Sequence, residues 1–257
     1  MESDDFINWS APVRLNYGDA EDSPLYINNI QPYYRAPHIL IGLPVRYTER
    51  IAWSDGFDAL CGKEQRLERM KTCERYGLAV TDALFMTSRN GVDFKKYDEA
   101  WASPNPENGR NWAYGDDYFA YGMIETPSAI EGEDPEMSFY AGENRWIGPV
   151  QLYRYTLRRD GFVSLHAGAE ERLILTKAFT YEGDALTVNF STSARGYACF
   201  TLIDADSNRY ESGEYFGNST QREIHFEGDA VRRNSGRPAR LEVRLREADL
   251  YSIRFHS

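Results

Sequence analysis

The chain is written almost throughout as short runs of β-branched, aromatic and aliphatic residues, each closed by Gly, Pro, Asn or Asp. That punctuation leaves room for little but antiparallel sheet. Residues 38–47 form one such run, and 78–87, 117–124, 137–141 and 150–157 follow it. From about Gly161 the runs become shorter and alternate more strictly: 173–176, 186–192 and 198–204, joined by Glu182-Gly183-Asp184 and Ala194-Arg195-Gly196, then 241–245 and 251–255. Short strands at such spacing predict an antiparallel sandwich for the second part, with a boundary near residue 165. The one helix-like stretch, 58–75, offers only Leu60, Leu67 and Met70 as regular apolar positions, too few for a core stripe. It reads as a solvated helical insertion or a long loop.

A weak internal repeat narrows the first part. Ser3-Asp4-Asp5-Phe6-Ile7-Asn8-Trp9 places an Asp two residues after a Ser and an aromatic six after it; Ser88-Arg89-Asn90-Gly91-Val92-Asp93-Phe94 keeps the spacing with Asn and Gly. Arg158-Arg159-Asp160-Gly161-Phe162 keeps only the Asp-Gly turn and an aromatic. A short polar side chain can bond the backbone two residues on, Gly supplies positive φ, and the aromatic then packs inward between sheets. Recurring turns of this kind between outer strands mark β-propeller blades, although ordinary hairpins also use them.

Composition excludes several functions. The 257 residues carry 40 Asp plus Glu against 29 Lys plus Arg, a formal net charge of −11, and 26 of the acidic residues fall in 1–160. Phosphate contact needs clustered cations, so a nucleic-acid partner is not expected. No apolar run approaches the ~18 residues of a membrane span. The N-terminal residues lack the basic and apolar segments of a secretory signal, so a soluble chain of undetermined location is expected. Cys61, Cys73 and Cys199 have no metal-ligand spacing, and Cys199 reads as a buried thiol in a strand. His38, His166, His225 and His256 form no metal motif. Asp204-Ala205-Asp206-Ser207-Asn208 suits Ca²⁺, but a β-turn explains it more simply. No Gly-rich phosphate loop or Gly-x-Ser-x-Gly elbow is present, and no cofactor is implied. Aromatic residues make up 14% of the chain, with 18 Tyr, a composition that suits both carbohydrate stacking and ordinary sheet.

Several stretches together resemble a known group. They are Tyr33-Tyr34-Arg35-Ala36-Pro37-His38 running into an apolar strand, residues 84–91, Tyr114-Gly115-Asp116-Asp117-Tyr118, Glu125-Thr126-Pro127-Ser128, residues 157–165 and the ending 248–255. The chain resembles the C-terminal half of bacterial glycosyl hydrolases in which a five-bladed propeller, of the family 32/43 or sialidase-like kind, precedes a β-sandwich. The resemblance implies an all-β chain: a partial propeller over 1–165, about two blades plus an outer strand, then a β-sandwich over 166–257. Within the first part, 1–15 would edge one blade, 33–98 would form a full blade and 116–165 another. Five blades need far more than 160 residues, and open sheet edges are avoided by natural proteins. The resemblance therefore implies a fragment or truncation, completed by the missing half or by self-association, with a carbohydrate as its ligand.

Glycosidic cleavage uses two carboxyl groups, one protonating the leaving oxygen and one stabilising or attacking the sugar cation. Asp116 and Asp117 precede the strand 118–124 and are the first catalytic candidates, although an Asx turn accounts for them equally. Glu125, before Thr126-Pro127, resembles the acid motif of family 32 but follows its strand. Arg35-Ala36-Pro37 has Ala where the family pattern has Asp, so that carboxylate is not carried over. For substrate binding the candidates are Tyr34, Arg35 and His38 at the start of an inner strand, with a core histidine as the alternative for His38, and Trp112 and Tyr114 as a stacking platform, with packing between blades as their alternative. Arg46 and Tyr47 read as structural. A non-catalytic sugar-binding or structural β protein remains the competing expectation.

Overall fold

The computed structural model describes residues 1–106 and 112–257. Its described residues form several antiparallel sheets, none closed into a barrel, with four short helices. The all-β expectation is met. The chain divides into two compact units, Met1–Ile124 with Ser138–Thr156, and Glu125–Met137 with Leu157–Ser257.

In the first unit, Gln31–Tyr33, Ala36–Gly42, Met86–Ser88 and Phe94–Lys96 form a four-stranded antiparallel meander in chain order. The strand expected over 38–47 is two: it breaks after Gly42 and resumes as Val45–Glu49. Pro44 lacks a backbone donor and cannot continue a ladder, while its carbonyl accepts the Leu84 N–H at 2.8 Å. The strand expected over 78–87 breaks at the same level, into Ala79–Ala83 and Met86–Ser88. Register nonetheless runs through without a slip. Leu40 faces Ser88 and Gly42 faces Met86; beyond the break, Val45 faces Ala83 and Glu49 faces Ala79. One kinked ribbon therefore serves two sheets.

The far end of that ribbon carries the helical insertion, Asp55–Ala59, Lys63–Met70 and Arg75–Leu78. Sequence patterning left it solvated, and Leu67 is indeed exposed, but Phe57 and Leu78 are buried and so is Arg66. A third sheet sets Glu136–Glu143 between Tyr118–Phe119 and Gln151–Leu157. Phe119, Phe139, Trp101 and Tyr155 meet there edge-to-face, with centroids 5.1–6.3 Å apart.

The first two copies of the repeated turn share one hydrogen-bond pattern. Asp5 Oδ1 accepts the N–H groups of Ile7 and Asn8, both at 2.8 Å; Asn90 Oδ1 accepts those of Val92 (2.9 Å) and Asp93 (2.8 Å). The cross-turn bond is kept with its chemistry reversed: Asn8 Nδ2 donates to Asp5 Oδ2, whereas Asn90 Nδ2 donates to Asp93 Oδ2, each at 2.7 Å. The residue after the polar anchor is left-handed in both, Phe6 at φ 59° and Gly91 at φ 76°. Phe94 is buried as expected, but Trp9 is half exposed. The third copy is a different turn, in which Asp160 itself is left-handed and Gly161 N–H donates to Arg158 O at 3.0 Å.

The second unit repeats the ribbon principle on a larger scale. The four strands expected over 186–204 and 241–255 are two 19-residue strands, Ala185–Ile203 and Pro238–His256, paired along their length with bulges at Asn189/Phe190 and between Thr192 and Tyr197. One half is flanked by Asn218–Ile224 and Leu165–Ala167, the other by Arg209–Tyr215 and Arg172–Leu175. Gly196 marks the bend: a Cβ there would stand 2.2 Å from Glu247 O. Ser193 Oγ fastens it, accepting the Gly196 N–H at 3.0 Å and donating to Glu247 Oε2 at 2.6 Å. Phe190, Phe200, Leu186, Leu202, Leu241 and Leu245 are fully buried in one hydrophobic cluster. Each such side chain contributes about 1.5–3 kcal/mol by leaving water.

Candidate functional site

A cleft of about 720 Å³ opens in the first unit, lined by Tyr26, Tyr47, Tyr76, Tyr114 and Trp146 with Arg69 and Arg75. Each comes from a different constraint. Tyr26 lies on an extended segment added to the edge of Val45–Glu49, where its N–H donates to Val45 O at 2.8 Å and Tyr47 N–H donates to Pro24 O at 3.0 Å. Arg69 lies in the last turn of the helix Lys63–Met70, and Arg75 and Tyr76 begin the next. Trp146 sits in a turn opened by left-handed Asn144.

Rings and guanidinium interlock. Tyr114 stands edge-on to Tyr26 and to Tyr47, at 6.0 and 5.7 Å between centroids, and Arg69 Cζ lies 4.1 Å above Trp146. The lining contains two guanidinium groups and no carboxylate. Burial, opposed by nearby Tyr114, Asp116 and Tyr76, lowers the Arg69 pKa. Burial first, then the Tyr47 hydroxyl's bond to Glu49 (3.1 Å), pushes the Tyr47 phenol up to about 12, so it stays protonated and a donor.

Behind Tyr114 lies a dry acidic cluster. Asp116 and Asp117 have no exposed surface, and Glu143 is 1% exposed. Thr81 holds the approach: its hydroxyl donates to Asp116 O at 2.7 Å and accepts the Gly115 N–H at 3.1 Å. Gly115 is required there, at φ 95° with Arg145 Cδ 2.8 Å from where a Cβ would stand. Asp116 Oδ1 accepts the Arg145 N–H at 3.0 Å, while Oδ2 has no hydrogen-bond partner among the described residues. Burial, reinforced by Glu143 and opposed by that hydrogen bond and by Arg66, raises the Asp116 pKa to about 6. Glu143 Oε1 accepts the Tyr155 hydroxyl. Buried Arg66 donates to Gly77 O at 3.2 Å and lies over Phe57, 5.6 Å from the ring centre.

The residues singled out by sequence are scattered. Asp116 and Asp117 do belong together, but the carboxylates face the interior rather than a cleft. Glu125 lies in the second unit, in the strand Ile124–Thr126, with Oε1 3.0 Å from Arg159 Nε. Tyr34 and Arg35 form the two-residue turn of the first hairpin, and His38 is exposed on its second strand, Ala36–Gly42; none lines a cleft described above. Tyr114 joins the aromatic cleft. Trp112, its Nε1 donating to Asn105 O at 2.6 Å, instead lines a larger adjoining cleft of about 930 Å³ with Glu21, Asp22, Glu49 and Asp82. The two clefts share Pro24 and Tyr47.

Arg46 is structural as expected, gripping cross-strand Asp82 through Nε (3.0 Å) and a second nitrogen (2.5 Å). Tyr47, also read as structural, lines both clefts. Arg66, Arg69, Tyr76, Glu143 and Trp146 carried no sequence signal beyond the three-residue spacing that puts Arg66 and Arg69 on one side of a helix. In the second unit both Asp204 oxygens accept local bonds, from the N–H groups of Asp206 and Asn208, from Asn208 Nδ2 and from the Tyr210 hydroxyl, as a turn requires. The three thiols are free, and burial raises the pKa of Cys199. No helix among the described residues is long and apolar enough to cross a membrane. Comparison with models of known protein families finds no match, and no curated protein matches the sequence either.

Proposed function

We propose that the first unit binds a saccharide in the aromatic cleft and that the chain is part of a glycosidase-like, carbohydrate-active β protein. The observation that carries this reading is the convergence of five aromatic side chains with two guanidinium groups on one cleft of small-ligand size. Sugar rings present an apolar face that stacks on aromatic rings and hydroxyls that pair with Tyr and Arg. The chain-order meander 31–96, and the turn it shares with residues 3–9, support reading the unit as an arc of propeller blades.

Hydrolysis is a second reading, favoured by the four carboxylates that line the adjoining cleft together with Arg46 and Arg50. Catalytic carboxyl groups stand about 5–9.5 Å apart across the scissile bond and must touch it. Asp116 and Asp117 lack any exposed surface, so the carboxylates within reach are Glu21, Asp22 and Glu49; Asp82 is already engaged by Arg46.

Titration with neutral and acidic oligosaccharides, followed by Trp fluorescence, tests the binding. Saturable binding that Trp146→Ala weakens supports it; no binding by any saccharide refutes it. A panel of aryl glycosides tests turnover: activity lost in Glu49→Gln supports hydrolysis, and binding with no turnover assigns the chain to non-catalytic recognition.

A further inference from the structure

The charge of the cleft is opposite to that of the chain. With a net charge of −11, and most of the acidic residues in its first 160 positions, this molecule lines its aromatic cleft with two arginines and no carboxylate. Among the described residues, neither Arg69 nor Arg75 forms an ion pair. Arg69 is partly buried against Trp146, which fixes its plane and leaves its edge as an unused fork of donors. Arg75 is exposed beside Tyr76, its Cζ 5.7 Å from the ring centre. Glu49, which accepts the Tyr47 hydroxyl at 3.1 Å, lines the adjoining cleft and not this one. Asp116 lies behind the wall with no surface to offer. A guanidinium held half out of water without a carboxylate partner is costly unless an anion completes it.

Resting on the saccharide reading, we propose that the ligand is an anionic saccharide, one whose ring stacks on Trp146 and Tyr114 while a carboxylate or sulfate group bridges Arg69 and Arg75. No bond is made or broken in this step; the anion replaces water on the two guanidinium groups. Oriented donors on planar arginines suit the two-oxygen edge of either group, and a saccharide ring adds stacking on the aromatic walls that a small hydrated anion lacks.

Isothermal titration of the full chain with trigalacturonate, a chondroitin sulfate disaccharide, neutral xylotriose and sodium sulfate decides it, in the wild type and in Arg69→Gln, Arg75→Gln and Trp146→Ala. The expected result is binding of one or both acidic saccharides about tenfold or more tighter than xylotriose, as charge-assisted hydrogen bonds provide. That preference should shrink at high salt and vanish in Arg75→Gln, whose exposed site leaves folding untouched. Binding of trigalacturonate, which has carboxylates and no sulfate, shows that a carboxylate suffices; binding of the chondroitin disaccharide alone, which carries both groups, points to the sulfate. Equal binding of neutral and acidic sugars, unchanged in both arginine variants, overturns the anion assignment and leaves the saccharide reading standing. Sulfate binding lost in Arg75→Gln, with no saccharide bound, overturns the saccharide reading instead. Absence of all binding overturns both.

Discussion

Asp116→Asn should remove one source of pH dependence from the stability of the first unit. Asp116 has no exposed surface, one oxygen without a partner, and a pKa raised from 3.8 to about 6. The folded chain therefore holds this proton more tightly than the unfolded chain. Its stabilising contribution is full below pH 3.8 and is lost as pH rises through about 6. At ~1.36 kcal/mol per pH unit, the gap between those values is worth about 3 kcal/mol at most. Asparagine keeps the acceptor for Arg145 N–H and cannot ionise. Its amide meets the site where Oδ2 lacks a partner, a cost of about 1–2 kcal/mol that does not change with pH. The stability of the variant relative to wild type should thus rise by about 2.4 kcal/mol between pH 4 and pH 8, whatever the offset. Urea unfolding monitored by Trp fluorescence reads this directly, because Trp9, Trp53, Trp101, Trp112 and Trp146 all lie in the first unit. A difference that stays flat across that range would show that Asp116 titrates at its ordinary value, and the argument from burial would fail.

Gly196→Ala should destabilise the second unit by about 2–4 kcal/mol, because the added Cβ meets backbone that cannot swing aside; an unchanged midpoint in far-UV circular dichroism would show that the bend relaxes freely. Asn90→Asp should lower the melting temperature by facing Asp93 with a second carboxylate, and Asn90→Asp with Asp93→Asn should restore it, since residues 5 and 8 already use that arrangement. Failure of the double variant to recover would mean that the two turns are not equivalent.

Much of the fold was legible. Alternation and turn residues located the strands, and the Ser-x-Asp/Asn spacing located two turns with the same bonds, even though acid and amide exchange places between them. Continuity was not legible. The run 38–47 reads as one strand through Pro44, where it breaks, and Gly196 reads as an end, where pairing with the partner strand resumes, because a local pattern does not show what the partner strand does. Of the residues lining the aromatic cleft, Tyr114 was singled out from its own neighbourhood. Arg69 and Trp146, 77 positions apart, were not, and neither was buried Arg66, whose charge predicts a solvated face.

What the sequence by itself determined is local: which stretches extend, where they turn, and that they belong to antiparallel sheet, since each depends on side chains and backbone groups within a few residues. Which carboxylates are dry, which arginines lack a counter-ion and which rings share a cleft were decided only by tertiary structure. Desolvation and charge balance depend on everything packed within several ångströms, and that company is drawn from strands and helices far apart along the chain.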